Sequence, residues 1–201
     1  GKPLAGWNPR PIGQGLISAV EHRRIYGNDY FIAVQGDGTA HLMNRRGESI
    51  RGFPVSLNAR PQGEFAVSRG KDLASSHLVL VSEDGQKIQV DFNGQVTRSD
   101  VLPRFSNNAS FSLVKSVGGD SFVFFRIEGT RLAVIDAKNN LLFESQNTGS
   151  DQWELQFVQT STKQSVYCLY DRQQNFPYLF NEAGTTLTAS PLEWDLMPTW
   201  R

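Results

Sequence analysis

Apolar and polar positions along this chain change rhythm at a nearly fixed interval. The stretch "HLMNRRGESI" (41–50) is an apolar run that ends at an Asn, meets a Gly three residues later and begins a second run. The same order returns in "IQVDFNGQV", "AVIDAKNNLL" and "YLFNEAGTTL". Aligned on Asn44, Asp91, Asp136 and Asn181, the phrases are 47, 45 and 45 residues apart, with Gly47, Gly94, Asn139 and Gly184 three places on. An Asn or Asp side chain accepts backbone N–H groups two or three residues ahead and so starts a turn. Gly, or less readily Asn, supplies the positive φ that closes it between antiparallel strands. Each phrase is predicted to be a hairpin corner.

The runs around each corner are short and rich in β-branched and aromatic residues, with no sustained helical period. Before each corner lie "YFIAV", "HLVLV", "FVFF" and "VYCLY", closed by turns at "GDGT" (36–39), "EDGQ" (83–86), "IEGT" (127–130) and "DRQQNF" (171–176). Asp-Gly between apolar alternations is a strong hairpin signal. Upstream come "LISAVEH" (16–22), "EFAVSR" (64–69), "SFSLVKS" (110–116) and "ELQFVQT" (154–160). Downstream come "ESIRGF", "QVTRSDV", "LLFES" and "TTLTAS". Each unit is thus four short antiparallel strands in about 45 residues, the signature of a propeller blade.

On these units the chain resembles the β-propeller superfamily, nearest to quinoprotein-like and WD-type repeats of bacterial envelope proteins. Its corner is Asn/Asp-x-x-Gly rather than the Trp-Asp of WD repeats, and no cofactor signature accompanies it. The expected fold is all-β, with blades near 16–56, 63–101, 110–145 and 153–190. An extra strand is expected at 3–8 and a tail at 191–201. Two tandem β-sandwiches are the alternative, but the long Greek-key connections are missing. Four blades suit a small closed ring of the haemopexin type or a segment of a larger propeller. That family usually joins its first and last blades by a disulfide, which this chain cannot make. Closure within the chain and closure by a homodimer both remain open.

Composition narrows the partners. Lys+Arg and Asp+Glu both number 20 in 201 residues. That balance offers no basic surplus for nucleic acid and no polybasic anchor for a membrane surface. Runs such as "FVFF" and "LVLV" are far too short for insertion. The single Cys168, inside "SVYCLYD", rules out an internal disulfide framework and reads as a buried small hydrophobe. The sequence opens on Gly1 without a visible signal peptide and reads as a trimmed or mature fragment.

Candidate chemistry is sparse. Three of the four loops between blades carry an arginine at a similar place: Arg10, Arg60 and Arg104. They are the candidate ligand-binding residues, a partial ring able to clamp carboxylate or phosphate in bidentate fashion. Pairing with acids of neighbouring blades is the plainer reading of each. His22, His41 and His77 share no ligand spacing, so no metal is expected. Asp37 and Asp84 belong to Asp-Gly turns. The carboxylates Asp29, Glu64, Asp120, Glu154 and Glu193 are scattered, and no catalytic residue is assigned. Trp153 is expected to pack between blades, while Trp194 and Trp200 in the tail are candidate partner-binding residues.

Two functions fit. The favoured one is a non-catalytic interaction module of a bacterial envelope or secreted protein (periplasmic, cell-surface or secreted), binding a protein or glycan without a cofactor. The alternative is a small-ligand-binding or hydrolytic propeller whose arginine-lined mouth takes an acidic ligand. Fold analogy alone does not choose between them.

Overall fold

The structure, a computed structural model, describes residues 12–13, 15–146, 152–160 and 164–187, together with Gly6. The described residues form fifteen strands and no helix, so no helix is long and apolar enough to cross a membrane. The strands make four antiparallel sheets in chain order, the blades of a β-propeller fold. The first holds β1 (Glu21–Ile25), β2 (Asn28–Val34), β3 (Thr39–Met43) and β4 (Val55–Ser56). The second holds β5 (Ala66–Ser68), β6 (His77–Val81), β7 (Gln86–Asp91) and β8 (Val96–Val101). The third holds β9 (Ser110–Lys115), β10 (Phe122–Glu128), β11 (Arg131–Ile135) and β12 (Leu141–Gln146). The fourth holds β13 (Trp153–Gln159), β14 (Ser165–Asp171) and β15 (Phe176–Phe180), extended by a bridge from Phe180 to Thr186.

The chain divides into two compact units, Gly1–Leu102 with Phe111–Leu113, and Pro103–Ser110 with Val114–Arg201. Period-two alternation gives each sheet an apolar face, and each unit buries its own core. In the first unit Ile32, Val34 and Leu42 meet Phe65, Leu78, Leu80 and Val90. In the second, Val123, Phe125, Val134 and Phe143 meet Trp153, Leu155, Phe157 and Tyr167. Trp153 is 8% exposed, with its ring 5.9 Å from that of Tyr178.

The four corners are built alike. Asn44 Oδ1 accepts the N–H groups of Arg46 and Glu48 at 2.8 and 3.1 Å. Asp91 Oδ1 accepts those of Asn93 and Gln95. Asp136 Oδ1 accepts those of Lys138 and Asn140, and Asn181 Oδ1 those of Ala183 and Thr185. The anchor therefore reaches two and four residues ahead, not two and three. Gly47, Gly94, Asn139 and Gly184 all have positive φ, between 70° and 83°. Each donates its N–H to the anchor's own carbonyl at 3.0–3.1 Å. This is a type I turn followed by a left-handed residue, the three-residue hairpin loop.

In the first sheet both the inner and the outer strand are broken where one continuous strand is expected. Leu16 bridges Gln35, and the inner strand resumes only as β1, which turns at Tyr26 and Gly27 (φ 46° and 81°). On the outer side Ser49 bridges Met43, the chain leaves the ladder through Gly52 and the cis peptide Phe53-Pro54, and β4 rejoins β3. Proline has no N–H to give a ladder, and Gly52 holds φ 91°, so neither continues a strand. Of the expected strand at 3–8 only Gly6 is described, in a turn at φ 85°, and the tail at 191–201 lies outside the described residues.

Candidate functional site

Arg10, Trp194 and Trp200 lie outside the described residues. Arg60 belongs to the first unit and Arg104 to the second, and each is exposed. Arg60 serves locally through its backbone: its carbonyl accepts the N–H of Glu83 at 3.0 Å, while Gln62 N–H donates to Val81 at 2.8 Å. These bonds extend the second sheet's ladder into the loop between blades.

The corresponding loop ahead of the third sheet is held by side chains. Arg126, on β10, is 1% exposed. Its register partner on β11 is Ala133, which in turn faces Glu144 on β12. The methyl of Ala133 leaves room for the guanidinium to cross β11, where Nη2 donates to Glu144 Oε2. Nη1 donates to the Pro103 carbonyl at 2.7 Å. Glu128, two residues on and therefore on the same face, accepts the Phe105 N–H on both carboxylate oxygens at 3.0 Å. Its Oε2 also stands 3.6 Å from Arg126 Nε. Burial pushes the Glu128 carboxyl up, but the N–H groups of Phe105 and Ser106, the Ser106 hydroxyl and the Arg126 charge outweigh it and hold it below 4.5.

That clamp fixes Phe105. Its ring centroid lies 4.9 Å from the Arg126 guanidinium carbon and 4.7 Å from that of Arg131, yet the residue is 66% exposed. None of these residues except Arg104, next along the loop, was singled out from the sequence. The available signal was a lone Arg and Glu inside the apolar run "FVFFRIE".

A second feature sits in the first unit. An open cleft of about 280 Å³ is lined by Tyr30 and Ile50 below and by Asp29, Arg45, Arg46 and Glu48 at its rim. Arg45 Nε is 3.7 Å from Asp29 Oδ2, and Asp29 Oδ1 is bound to His22 Nε2 at 3.0 Å. Both arginines come from the corner that follows Asn44.

Two further titratable groups lie outside these features. Asp136 is raised by burial but held below 3.8 overall by its bonds to Asn140 and Lys138. Cys168 is half-buried rather than buried, and burial together with Glu154 raises its thiol, so it is a poor nucleophile at neutral pH. Among the described residues no three His, Cys, Asp or Glu side chains gather closely enough to hold a metal ion.

His41 bonds Gln35 Oε1 at 2.9 Å, and burial lowers its pKa below 6.5 against the opposing pull of Asp37. Below pH 6.5 the unfolded imidazole binds its proton first, so the unfolded state gains. Stability from this group is complete above about pH 6.5 and is lost as pH falls through the folded value. Unfolding midpoints measured between neutral pH and pH 5 should fall more steeply for the wild type than for His41→Gln. Equal slopes would contradict this assignment. The carboxylates Glu128 and Asp136 act in a separate window, below about pH 4.5.

No protein-family model and no curated protein matches the chain. Solved structures do. BBS1N, crystallised in complex with ARL6DN, is similar in a mercury-soaked crystal at TM-score 0.58 and 11% identity, over 86% of this chain and 53% of that one. In a lead-soaked crystal the values are 0.58 and 12%, over 98% and 61%. A protein of unknown function from Bacteroides caccae is similar at 0.47 and 10%, over 90% and 62%. The likeness to BBS1N is one of fold, and the chain spans between about half and three fifths of the length of these solved chains.

Proposed function

We propose that this chain is a non-catalytic β-propeller module that binds a protein partner. The observation that carries the reading is where the ionisable groups are employed. Perturbed carboxylates mark active sites when they converge on a cleft. Here Glu128 holds a loop, Asp136 anchors a corner, and Asp72 caps a turn through Ser75. The buried cation Arg126 is likewise committed to a carbonyl and a carboxylate within its own unit. The fold adds support: BBS1N, a propeller of similar blades, was crystallised with a protein bound to it. An envelope or extracellular setting, and a homodimer that completes a larger ring, belong to the same proposal.

The test is reconstitution from purified components. The chain is used to capture protein from an extract of its source organism, and the captured protein is then purified and mixed with it under light scattering. A saturable complex of fixed stoichiometry is the expected result. Before mixing, a mass of twice 22.4 kDa would support the homodimer, and a monomer would remove it. Failure of every captured protein to re-form a complex, with a small acidic molecule instead stabilising the fold, would favour the ligand-binding alternative.

A further inference from the structure

Phe105 is the most exposed large apolar residue described, at 66%. Single exposed apolar residues are ordinary on protein surfaces and by themselves mean nothing. This one differs in what holds it. Its N–H is gripped by both oxygens of Glu128, the preceding loop carbonyl of Pro103 is gripped by Arg126, and its ring lies against two guanidinium groups. The second sheet secures the equivalent loop with backbone bonds at Arg60 and Gln62 and with Arg98, which donates to the Leu57 and Asn58 carbonyls but is itself exposed, so no charge is buried there. The third sheet instead buries an arginine and a carboxylate, an arrangement that costs desolvation and is seldom favoured for stability alone.

We infer that Phe105 is the anchor by which this module docks an acidic segment of its protein partner; the inference rests on the protein-binding reading above. Charge decides the partner's chemistry. The carboxylates beneath the ring are spent, Glu128 on the loop and on Arg126, Glu144 on Arg126. The exposed cation placed against the ring is Arg131, on β11. Aromatic rings and arginines are the side chains enriched at interface centres. A ring already fixed in place loses little freedom on binding, so the contact area converts more fully into affinity. The fitting partner offers an apolar hollow flanked by Asp or Glu.

The experiment titrates the ¹⁵N-labelled chain with a short synthetic peptide alternating Glu and Leu, and with its Lys-Leu counterpart. The amide signals of Phe105 and Ser106 should shift saturably with the acidic peptide alone. The effect should weaken as salt rises from about 0.05 to about 0.5 M. Phe105→Ala should weaken binding at least roughly tenfold while the protein stays folded, with its unfolding midpoint lowered only by the loss of the ring's two cation–π contacts. Arg131→Gln, which keeps the ring and removes one charge, should weaken it several-fold. Unmoved Phe105 and Ser106 signals, or equal response to both peptides, would overturn the inference. A reconstituted partner that binds wild type and Phe105→Ala equally overturns this site alone. Failure to reconstitute any partner overturns the module reading and the inference with it.

Discussion

Arg126→Met is expected to lower the unfolding free energy by about 3–5 kcal/mol, the usual result of removing one member of a buried ion pair. Methionine refills most of the channel over Ala133, so the loss is electrostatic more than steric. It leaves Glu144 without its cation, Glu128 without a neighbouring charge and the Pro103 carbonyl without its donor. Urea unfolding checks this, with an unchanged slope showing that the unfolded state is not altered. Adding Glu144→Gln should return about 1–2 kcal/mol, since a neutral amide is cheaper to leave unpaired than a carboxylate. A loss below about 1 kcal/mol in the single variant would mean that the guanidinium is hydrated and the clamp is not closed in solution.

The second large effect is expected at Gly52. It lies at φ 91°, and a Cβ there would stand 2.0 Å from the Asn93 carbonyl oxygen. The contact is mutual: a Cβ on Gly94, the corner glycine of the second sheet, would stand 2.4 Å from the Gly52 oxygen. Two backbones of the first unit touch with no room for a side chain. Gly52→Ala combines the left-handed penalty of about 1–2 kcal/mol with overpacking of about 1–3 kcal/mol, for a total of about 2–5 kcal/mol. Gly129→Ala is the control. Its φ is 59° but nothing lies within 4 Å, so only the conformational part, about 1–2 kcal/mol, should appear in thermal unfolding. Equal losses at the two positions would show that the blades yield at Gly52.

The corners explain why so much of the fold could be read in advance. Each is complete within five residues, so a linear sequence contains the whole of its chemistry: an Asx anchor, two amides and a left-handed residue. The propeller class follows from their repetition. What escaped depends on contacts distant in sequence or on an unusual local choice. Tyr26 takes φ 46°, a conformation rare for a bulky side chain, so nothing in "RIYGND" demanded a hairpin there ahead of "YFIAV". The outer strand of the first sheet breaks at Gly52 and Pro54, and Gly52 there packs against the second sheet's corner glycine, a neighbour 42 residues away.

The clamp escaped for the same reason. Arg126, Glu128 and Glu144 can be placed on one face by alternation, but that Arg126 reaches Pro103 is a fact of packing across 23 residues. Arginine inside an apolar run is more often a residue whose head escapes to water. Arg10, Arg60 and Arg104 drew notice because they repeat. Where described, Arg60 and Arg104 are exposed, while the arginines that hold loop carbonyls, Arg98 on β8 and Arg126 on β10, stand at different places in their blades.

The recurring corner also separates frame from cargo. The anchor and the left-handed residue fix the backbone, and the two residues between them take no part in the anchor's side-chain bonds beyond offering one N–H. Those places hold Arg-Arg, Phe-Asn, Ala-Lys and Glu-Ala in the four blades. In the first they supply the rim of a cleft, and in the second Phe92 sinks to 5% exposure. The same scaffold thus carries four different dipeptides at four equivalent places, some turned to solvent and one packed in the core. For protein engineering the exposed pair Arg45-Arg46 is the natural grafting point, where new recognition chemistry can be installed without rewriting the hairpin that carries it, whereas Phe92 belongs to the core and Glu182 holds the Ser165 N–H.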